Sequence, residues 1–283
     1  MYDIEKLKPE RFPALLREIA DPPQTLYLRG TLPPAGSTLL TVVGSRRMSR
    51  YAKDACEHLI AGLAGYPISI VSGLALGIDG VAHEAALATG LQTIAVPGSG
   101  LSDEVLYPRA HVRLAHTILE KGGALLSEFE PEWKPRPESF PQRNRIMAGM
   151  SQATLVIEAG LQSGTLITAR LASEYNRELL VVPHSIFADG GAGGHLFMKI
   201  GATPVRSADD ILEALGIEKT GTAQQVQLTD EEQKVINILS EPMARDELLR
   251  ALRIPTASAN VLLASMELRG LISERMGEIR KNI

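Results

Sequence analysis

The feature that most constrains how this chain folds is a repeated alternation between short β-rich runs and stretches with helical spacing of apolar residues. The β-rich runs are apolar on both faces, which indicates strands that are buried on both sides. Such strands, separated by helices, predict an α/β fold whose parallel sheet is covered by helices on both faces. The predicted strands are Thr38–Val43, Ile68–Val71, Thr93–Val96, Ala124–Leu126, Thr154–Ile157 and Leu179–Val182.

Gly/Ser-rich loops follow four of these strands. In an open parallel sheet, ligands bind outside the carboxyl ends of the strands, where backbone N–H groups and helix N-termini favour an anion such as phosphate. We therefore expect these loops to surround one phosphate-binding crevice; the alternative is that their glycines only form tight turns. The predicted residues are Gly44, Ser45, Arg46, Ser72, Gly73, Gly77, Gly98, Ser99, Gly100, Ser163, Gly164 and Thr165.

These loops match neither of two common nucleotide-binding motifs. The chain has no G-x-x-x-x-G-K-[ST], which argues against ATP hydrolysis at a P-loop, and no G-x-G-x-x-G follows the first strand, so binding of NAD is unsupported. Cys56 is the only cysteine and the six histidines are scattered. We therefore expect no disulfide, no metal and no cofactor.

The charge balance excludes one class of nucleic-acid binder. With 29 basic and 33 acidic residues the net charge is −4, which argues against coating of duplex DNA by bulk charge. No apolar run reaches the roughly 18 residues of a membrane span, and the N-terminal residues lack the apolar core of a signal peptide. We expect a soluble, cytoplasmic protein with no membrane partner.

The segment Ser127–Arg145 is the most unusual part of the chain. It contains the only tryptophan, Trp133, together with Phe129, Phe140 and four prolines. Aromatic rings stack on bases and arginines pair with phosphates, so a stiff loop of this composition suits single-stranded nucleic acid. The alternative is a proline-braced loop whose rings cover the core and whose arginines pair with nearby glutamates. Its basic residues are Lys134, Arg136, Arg143 and Arg145.

Further arginines follow the predicted strands at the same edge. Arg46, Arg47 and Arg50 come after the first strand, and Arg109 comes after the third loop. Together with Arg143 and Arg145 they would form a local positive pocket on an acidic protein, which steers phosphate to one place.

Catalytic patterns are weak by comparison. Asp79 and His83, four residues apart at the start of a helix, would suit a proton relay, but a helix cap and a packed histidine explain them as well. Ser163 lies near a glycine without forming a G-x-S-x-G motif, so no hydrolase triad is indicated.

The chain changes character after Gly216. Thr229, with Glu232 three residues later, is a predicted helix N-cap, and three helices followed by a hairpin predict a small winged-helix domain. From residue 226 on there are eight basic and nine acidic residues, which favours a protein contact or weak DNA contact. The predicted division is an N-terminal extension with a short helix and extended arms (1–37), an α/β domain (38–217), a polar linker (218–228) and a winged helix (229–283).

A set of short motifs runs in order from about residue 12 to 215. They are Asp21-Pro22-Pro23, Val42-Val43-Gly44-Ser45-Arg46, Ser72-Gly73-Leu74-Ala75-Leu76-Gly77-Ile78-Asp79, Pro97-Gly98-Ser99-Gly100-Leu101, Tyr107-Pro108, Ser127-Glu128-Phe129, Phe140-Pro141-Gln142-Arg143-Asn144-Arg145 and Ser163-Gly164-Thr165. In this order and spacing they resemble the DprA/Smf family of bacterial DNA-processing proteins. The resemblance implies an extended Rossmann-like fold, with a doubly wound, mostly parallel sheet, followed by a winged helix.

The resemblance also implies a function. Members of that family bind single-stranded DNA without sequence preference, load the RecA recombinase during natural transformation, and often form homodimers. Arg46 and Arg109 would contact the DNA backbone, and the motif that holds Arg143, Asn144 and Arg145 would line the same pocket. Arg47, Arg136 and Asp79 are further candidates, whereas His184 and His195 stand where the family commonly has Gly and Asn.

Two other functions remain open from the sequence. The fold resembles that of phosphoribohydrolases, which split the glycosidic bond of nucleoside monophosphates, but Thr168 stands where those enzymes need a glutamate. We therefore expect no enzymatic activity. A transcription regulator that acts through the winged helix is the third possibility, and the near-neutral charge of that domain argues against it.

Overall fold

The chain folds into two compact units, Met1–Lys219 and Thr220–Ile283. The computed structural model describes residues 3–218, 228–275 and 277–281. The predicted linker, residues 218–228, lies outside the described residues except for its first and last members.

A mostly parallel sheet is the centre of the first unit. Within the described residues it has the strand order β1-β2-β6-β5-β4-β3-β7-β8-β9. All six strands predicted from the apolar runs are present, and they pair in parallel because helices connect them. The strands are β1 (Ile4–Leu7), β2 (Leu26–Gly30), β3 (Thr38–Val43), β4 (Ile68–Ser72), β5 (Thr93–Ala95), β6 (Ala124–Ser127), β7 (Ala153–Val156), β8 (Glu178–Val181) and β9 (Thr203–Pro204).

Helices cover the sheet on both faces, as the apolar strands require. The first begins where the Ser49 side chain accepts a hydrogen bond from the backbone N–H of Ala52, 3.1 Å away. Among the described residues, no helix has the length and apolar character needed to cross a membrane. The helices are α1 (Arg50–Ala61), α2 (Ile78–Ala88), α3 (Val112–Glu120), α4 (Ser139–Met150), α5 (Thr165–Glu174), α6 (Ala192–Lys199) and α7 (Ala208–Ala214).

The winding direction of the sheet reverses beside β3. This strand pairs in parallel with β4 on one side and with β7 on the other. The chain therefore leaves the carboxyl ends of β3 and β7 in opposite directions, which opens a crevice between their loops. The doubly wound α/β fold predicted from the sequence is confirmed.

The chain before residue 38 differs from the sequence expectation. The predicted short helix is a single 3₁₀ turn, Ala14–Arg17, and the expected extended arms instead contain β1 and β2. Strand β2 pairs antiparallel with both β1 and β6, and Leu28 packs in the core at 2% exposure. The N-terminal stretch therefore completes one edge of the sheet.

The second unit has the helix and strand pattern of a winged helix. Thr229 and Glu232 form the predicted capping box, with the Thr229 N–H donating to the Glu232 carboxylate at 2.8 Å. Strands β11 and β12 pair antiparallel as the wing, and β10 pairs with β12. The elements are α8 (Asp230–Ile238), β10 (Met243–Ala244), α9 (Arg245–Leu252), α10 (Thr256–Leu268), β11 (Ile272–Arg275) and β12 (Glu278–Lys281).

Truncation of Leu28 tests whether the N-terminal stretch belongs to the core. Because Leu28 is buried, Leu28→Ala is expected to lower the free energy of unfolding of the first unit by about 2–5 kcal/mol. Chemical denaturation measures this loss. Lys6→Ala, at an exposed position of β1, is the control and should change stability by less than about 0.5 kcal/mol. Equal, small effects of both variants would mean that the stretch is a loosely attached arm.

Candidate functional site

The crevice is a cleft of about 820 Å³ at the carboxyl ends of β3 and β7. Its walls are the loop after β3, the loop after β7 and the first turns of α4. The residues lining the cleft include ten of those predicted from the sequence: Gly44, Ser45, Arg46, Arg47, Asp79, Arg143, Asn144, Ser163, Gly164 and Thr165.

Two loops are tied together at the base of the crevice. The Thr165 hydroxyl donates to the carbonyl oxygen of Gly44 at 3.0 Å, and the Thr165 N–H donates to the Ser163 hydroxyl at 3.2 Å. Helix α5 begins here without a side-chain cap, so the partial positive charge of its N-terminus faces the crevice. This arrangement suits an anion.

Gly77 has a role other than the predicted contact with phosphate. Its φ is +82°, and a Cβ atom added there would collide with the Ser45 carbonyl oxygen and the Arg46 backbone. The Ile78 N–H donates to that same Ser45 oxygen at 3.2 Å. Gly77 therefore allows α2 to approach the loop after β3 closely and fixes the shape of that loop.

The loop after β4 is held in place by a buried carboxylate, and two of its amides are not free to bind phosphate. Asp79 is 6% exposed and accepts hydrogen bonds from the N–H groups of Gly73 at 3.0 Å and Ala75 at 3.3 Å. The Gly73 amide, predicted to hold phosphate, is thus already bound to an internal anion. Burial raises the pKa of Asp79, and the neighbouring positive charge of Arg143 opposes that shift.

Arg143 is the buried cation of the site. It is 4% exposed, its guanidinium lies against Gly73, and its Nη1 donates to the carbonyl oxygen of Val96. Its Nε has no hydrogen-bond partner among the described residues. Burial lowers the pKa of Arg143 to about 10, which leaves the group protonated at neutral pH. Arg143 lines the crevice, and a fixed positive charge there favours an anionic ligand.

An aromatic ring and an exposed arginine form the rim. The Arg46 guanidinium lies over the ring of Phe140, 5.4 Å from its centre, and the Tyr107 ring packs 5.7 Å from Phe140. Phe140 lines the crevice. At the rim, the Phe140 ring can therefore stack on a base, and Arg46 can pair with a phosphate next to that base.

The loop after β5 does not line the crevice as expected, and of the loop after β4 only Ala75 does. Ser72 and Ser99 are fully buried, and the Ser72 hydroxyl donates to the Val42 carbonyl oxygen at 2.7 Å. Phe140 covers Gly98, and the backbone of Glu130 and Pro131 covers Gly100. The physical reason is that the segment after β6 folds over the loop after β5, whereas Arg143 fills the space beside Gly73. The residues outside the lining are Ser72, Gly73, Gly77, Gly98, Ser99 and Gly100.

Arg145 is not in the predicted pocket. It forms ion pairs with Glu128 and with Asp21, and its side chain is 12% exposed. For Arg145 the structure therefore agrees with the second interpretation of the segment Ser127–Arg145, in which its arginines pair with nearby glutamates. Arg109 is exposed but also lies outside the crevice lining, and it donates to the carbonyl oxygen of Asp103.

The histidines singled out from the sequence have structural contacts. His83 is fully buried, its Nδ1 lies 2.7 Å from the Thr93 hydroxyl, and burial lowers its pKa to about 3. The packed histidine therefore explains this position better than a relay with Asp79. His184 and His195 meet each other, since the His195 Nε2 lies 3.1 Å from the His184 carbonyl oxygen, and neither lines the crevice.

Several lining residues were not predicted as site residues. Phe140 belongs to the unusual segment Ser127–Arg145, and the Phe-Pro motif that it shares with Arg143 is the sequence signal that points to the crevice. The others had no distinctive local pattern. They include Gln162 and Ile167.

Comparison with known families gives two matches that together cover most of the chain. Residues 5–216 match the family of DNA recombination-mediator protein A. Residues 219–278 match the DprA winged helix domain.

Proteins of similar sequence support the same family assignment. Protein Smf of Escherichia coli (strain K12) is 45% identical over 206 residues, which is 73% of this chain and 54% of that protein, so this chain spans about half the length of that relative. DNA processing protein DprA of Bacillus subtilis (strain 168) is 39% identical over 73% of this chain and 69% of that protein.

Two solved structures resemble the chain. DNA processing protein A of Streptococcus pneumoniae has a TM-score of 0.69 at 38% identity, over 75% of this chain and 74% of that one. DNA processing protein A of Helicobacter pylori has a TM-score of 0.67 at 28% identity, over 76% of this chain and 96% of that one, and its structure concerns the single-stranded DNA binding mode of that protein.

Removal of Arg145 distinguishes a structural from a DNA-binding role. Arg145→Ala leaves the Glu128 carboxylate buried without its counter-charge, so we expect a loss of about 3 kcal/mol in the free energy of unfolding at neutral pH. Burial already raises the pKa of Glu128, and Arg145 counteracts this. The loss should therefore shrink as pH falls through the pKa of Glu128, because a protonated carboxyl needs no counter-charge.

Denaturation at several pH values measures this dependence. The double variant Arg145→Ala/Glu128→Gln is the control and should recover part of the stability at neutral pH. Full stability of Arg145→Ala together with weakened DNA binding would instead restore the role predicted from the sequence.

Proposed function

The chain belongs to the DNA recombination-mediator protein A family, also known as DprA/Smf, and we propose that it is a sequence-independent single-stranded DNA-binding protein. In this role it protects incoming DNA and loads the RecA recombinase during natural transformation or recombination. The DNA backbone enters the crevice between the loops after β3 and β7.

The observation that carries this proposal is the concentration of positive charge in the crevice of an acidic protein. The charged residues that line it are Arg46, Arg47, Arg143 and Asp79, and the Asp79 carboxylate is bound to two backbone amides. Because three of its four charged residues are arginines, the cleft has a net positive charge and attracts phosphate even though the net charge of the protein is −4. The α5 N-terminus adds to the same field.

The chemistry of the lining supports binding without sequence preference. Arginines and helix N-termini contact phosphate groups, which every nucleotide carries. The Phe140 ring at the rim can stack on any base, because every base has a π-face, and such stacking requires an unpaired strand. These features favour single strands over duplex DNA.

The geometry offers little support for the phosphoribohydrolase alternative. Glycoside hydrolysis in general uses a pair of carboxyl groups. In the crevice, Thr168 stands at the position where a glutamate is needed, and Asp79 is buried and hydrogen-bonded to amides. We propose that the protein is not an enzyme, and release of free adenine from AMP would contradict this.

Loading of RecA and formation of a homodimer are proposals that rest on family membership. Ile186 and Phe187, adjacent in the loop after β8, are 82% and 90% exposed and are candidate apolar contacts for a second copy of this chain. Light scattering after gel filtration, with and without RecA, tests both partners in one experiment.

The winged helix contributes a protein contact or a weak DNA contact in this proposal. Its Arg245 is paired with Glu267 at 3.1 Å and with Glu274 at 2.5 Å, so part of its positive charge is neutralised internally. On helix α10, Val261 and Leu268 are 71% and 90% exposed. These apolar side chains cannot pair with phosphate groups.

Replacement of the two exposed arginines that line the crevice tests the site. In Arg46→Ala/Arg47→Ala we expect affinity for oligo-dT to fall about tenfold for each lost phosphate contact. The slope of log K against log salt should decrease by about 0.7 for each contact, because fewer counterions are released. Fluorescence anisotropy over several salt concentrations, with AMP and matched duplex as competitors, measures both quantities.

The control for this experiment is Arg206→Ala. Arg206 is exposed and paired with Asp210 at 3.2 Å, outside the crevice, so its loss should leave affinity and slope unchanged. Unchanged affinity in the double variant would overturn the assignment of the site. Displacement of the strand by AMP would instead favour a small-molecule role.

A further inference from the structure

A second aromatic surface lies outside the crevice, on the segment between β6 and α4. Trp133 is 37% exposed. The Phe129 ring is stacked beside it, with ring centres 5.8 Å apart and planes 14° apart, and the Arg136 guanidinium lies 4.7 Å from the Trp133 ring centre. Phe129 is buried, so Trp133 connects the core to the surface of this segment.

The backbone around Trp133 is held by hydrogen bonds to the loop after β5. The Gly100 N–H donates to the Trp133 carbonyl oxygen and the Ser102 N–H donates to the Pro131 carbonyl oxygen, both at 2.9 Å. The Ser139 hydroxyl donates to the Gly98 carbonyl oxygen at 2.5 Å. Trp133 is therefore ordered before any ligand binds, which lowers the entropic cost of stacking on it.

The same segment leads into the crevice. Phe140, at the start of α4, lines the crevice and covers Gly98, whereas Trp133 is bonded to Gly100 in the same loop. Both residues thus contact the same short loop at the carboxyl edge of the sheet. A strand that stacks on Phe140 therefore lies beside the loop that also holds Trp133.

We propose that Trp133 is a second base-stacking site for single-stranded DNA, which extends the binding surface beyond the crevice. This inference rests on the proposed function. A nucleobase takes the place of the Arg136 guanidinium on the Trp133 ring, because base stacking is stronger than a cation–π contact at an exposed position.

The charges of the segment make this site differ from the crevice. Glu130, Glu132 and Glu138 surround Lys134 and Arg136, so the segment provides no net positive charge. Stacking, not attraction of phosphate, supplies the binding energy at Trp133. Its contribution is therefore expected to depend little on salt, unlike that of Arg46.

The tryptophan is its own probe, since Trp133 is the only one in the chain. The full chain is titrated with oligo-dT of about five and of about twenty nucleotides, and with an abasic oligomer of the longer length. Anisotropy of a labelled strand reports binding, and tryptophan emission reports stacking. The longer oligo-dT is expected to quench the emission, whereas the abasic strand binds without quenching.

Variants test the energetic contribution. Trp133→Ala should weaken binding of the longer oligo-dT about tenfold at every salt concentration and change binding of the shorter one by less than about twofold. Trp133→Phe, which keeps a ring, should restore most of the affinity. Tyr51→Ala removes another exposed aromatic side chain, outside the crevice lining, and is the matched control; circular dichroism checks that each variant is folded.

Each outcome decides a different claim. Quenching of the tryptophan emission by the longer strand, together with weaker binding of that strand to Trp133→Ala, supports the second site. Binding with unchanged emission, or with full affinity in folded Trp133→Ala, overturns the second site but leaves the proposed function intact. Failure of every strand to bind overturns the proposed function, and the second site with it.

Discussion

The crevice depends on two buried groups of opposite charge, the carboxylate of Asp79 and the guanidinium of Arg143. Each stabilises the charged form of the other, and either alone would be costly to bury. Asp79 fixes the loop after β4 through the N–H groups of Gly73 and Ala75, and Arg143 connects α4 to the carbonyl oxygen of Val96 after β5. The two side chains therefore set the positions of three elements before any ligand is present.

This arrangement explains how an acidic protein can present a local positive site. The negative charge of Asp79 points into the loop amides, whereas Arg46 remains exposed at the rim above Phe140. The positive charges of Arg46 and Arg143 act on each other, since Arg46 contributes to the lowered pKa of Arg143. A phosphate between them would relieve this repulsion, which is the electrostatic basis for the proposed DNA contact.

The sequence predicts local and periodic features well. The parallel strands follow from apolar runs, and the capping box of Thr229 follows from residue types at fixed spacing. Strands β1 and β2 could not be predicted in the same way, because they are short strands among prolines, and they form by antiparallel pairing of β2 with β6 and of β1 with β2. The burial of Ser99 depends likewise on a distant segment that folds over its loop.

The arginines of α4 show the limit of motif-based prediction most clearly. Arg143 and Arg145 are two positions apart, and on an α-helix such side chains point about 200° away from each other. One therefore lines the crevice, while the other pairs with Glu128 and Asp21. A motif identifies both residues, but the helix geometry and the location of the buried carboxylate assign their different roles.

The most direct test of the central claim is hydrogen exchange of the full chain with and without oligo-dT. If single-stranded DNA occupies the crevice, the strand should slow exchange of the backbone amides of residues 44–47 and 163–167. The amides of α10 should change less. Protection confined to the winged helix, with the crevice loops unchanged, would contradict the account.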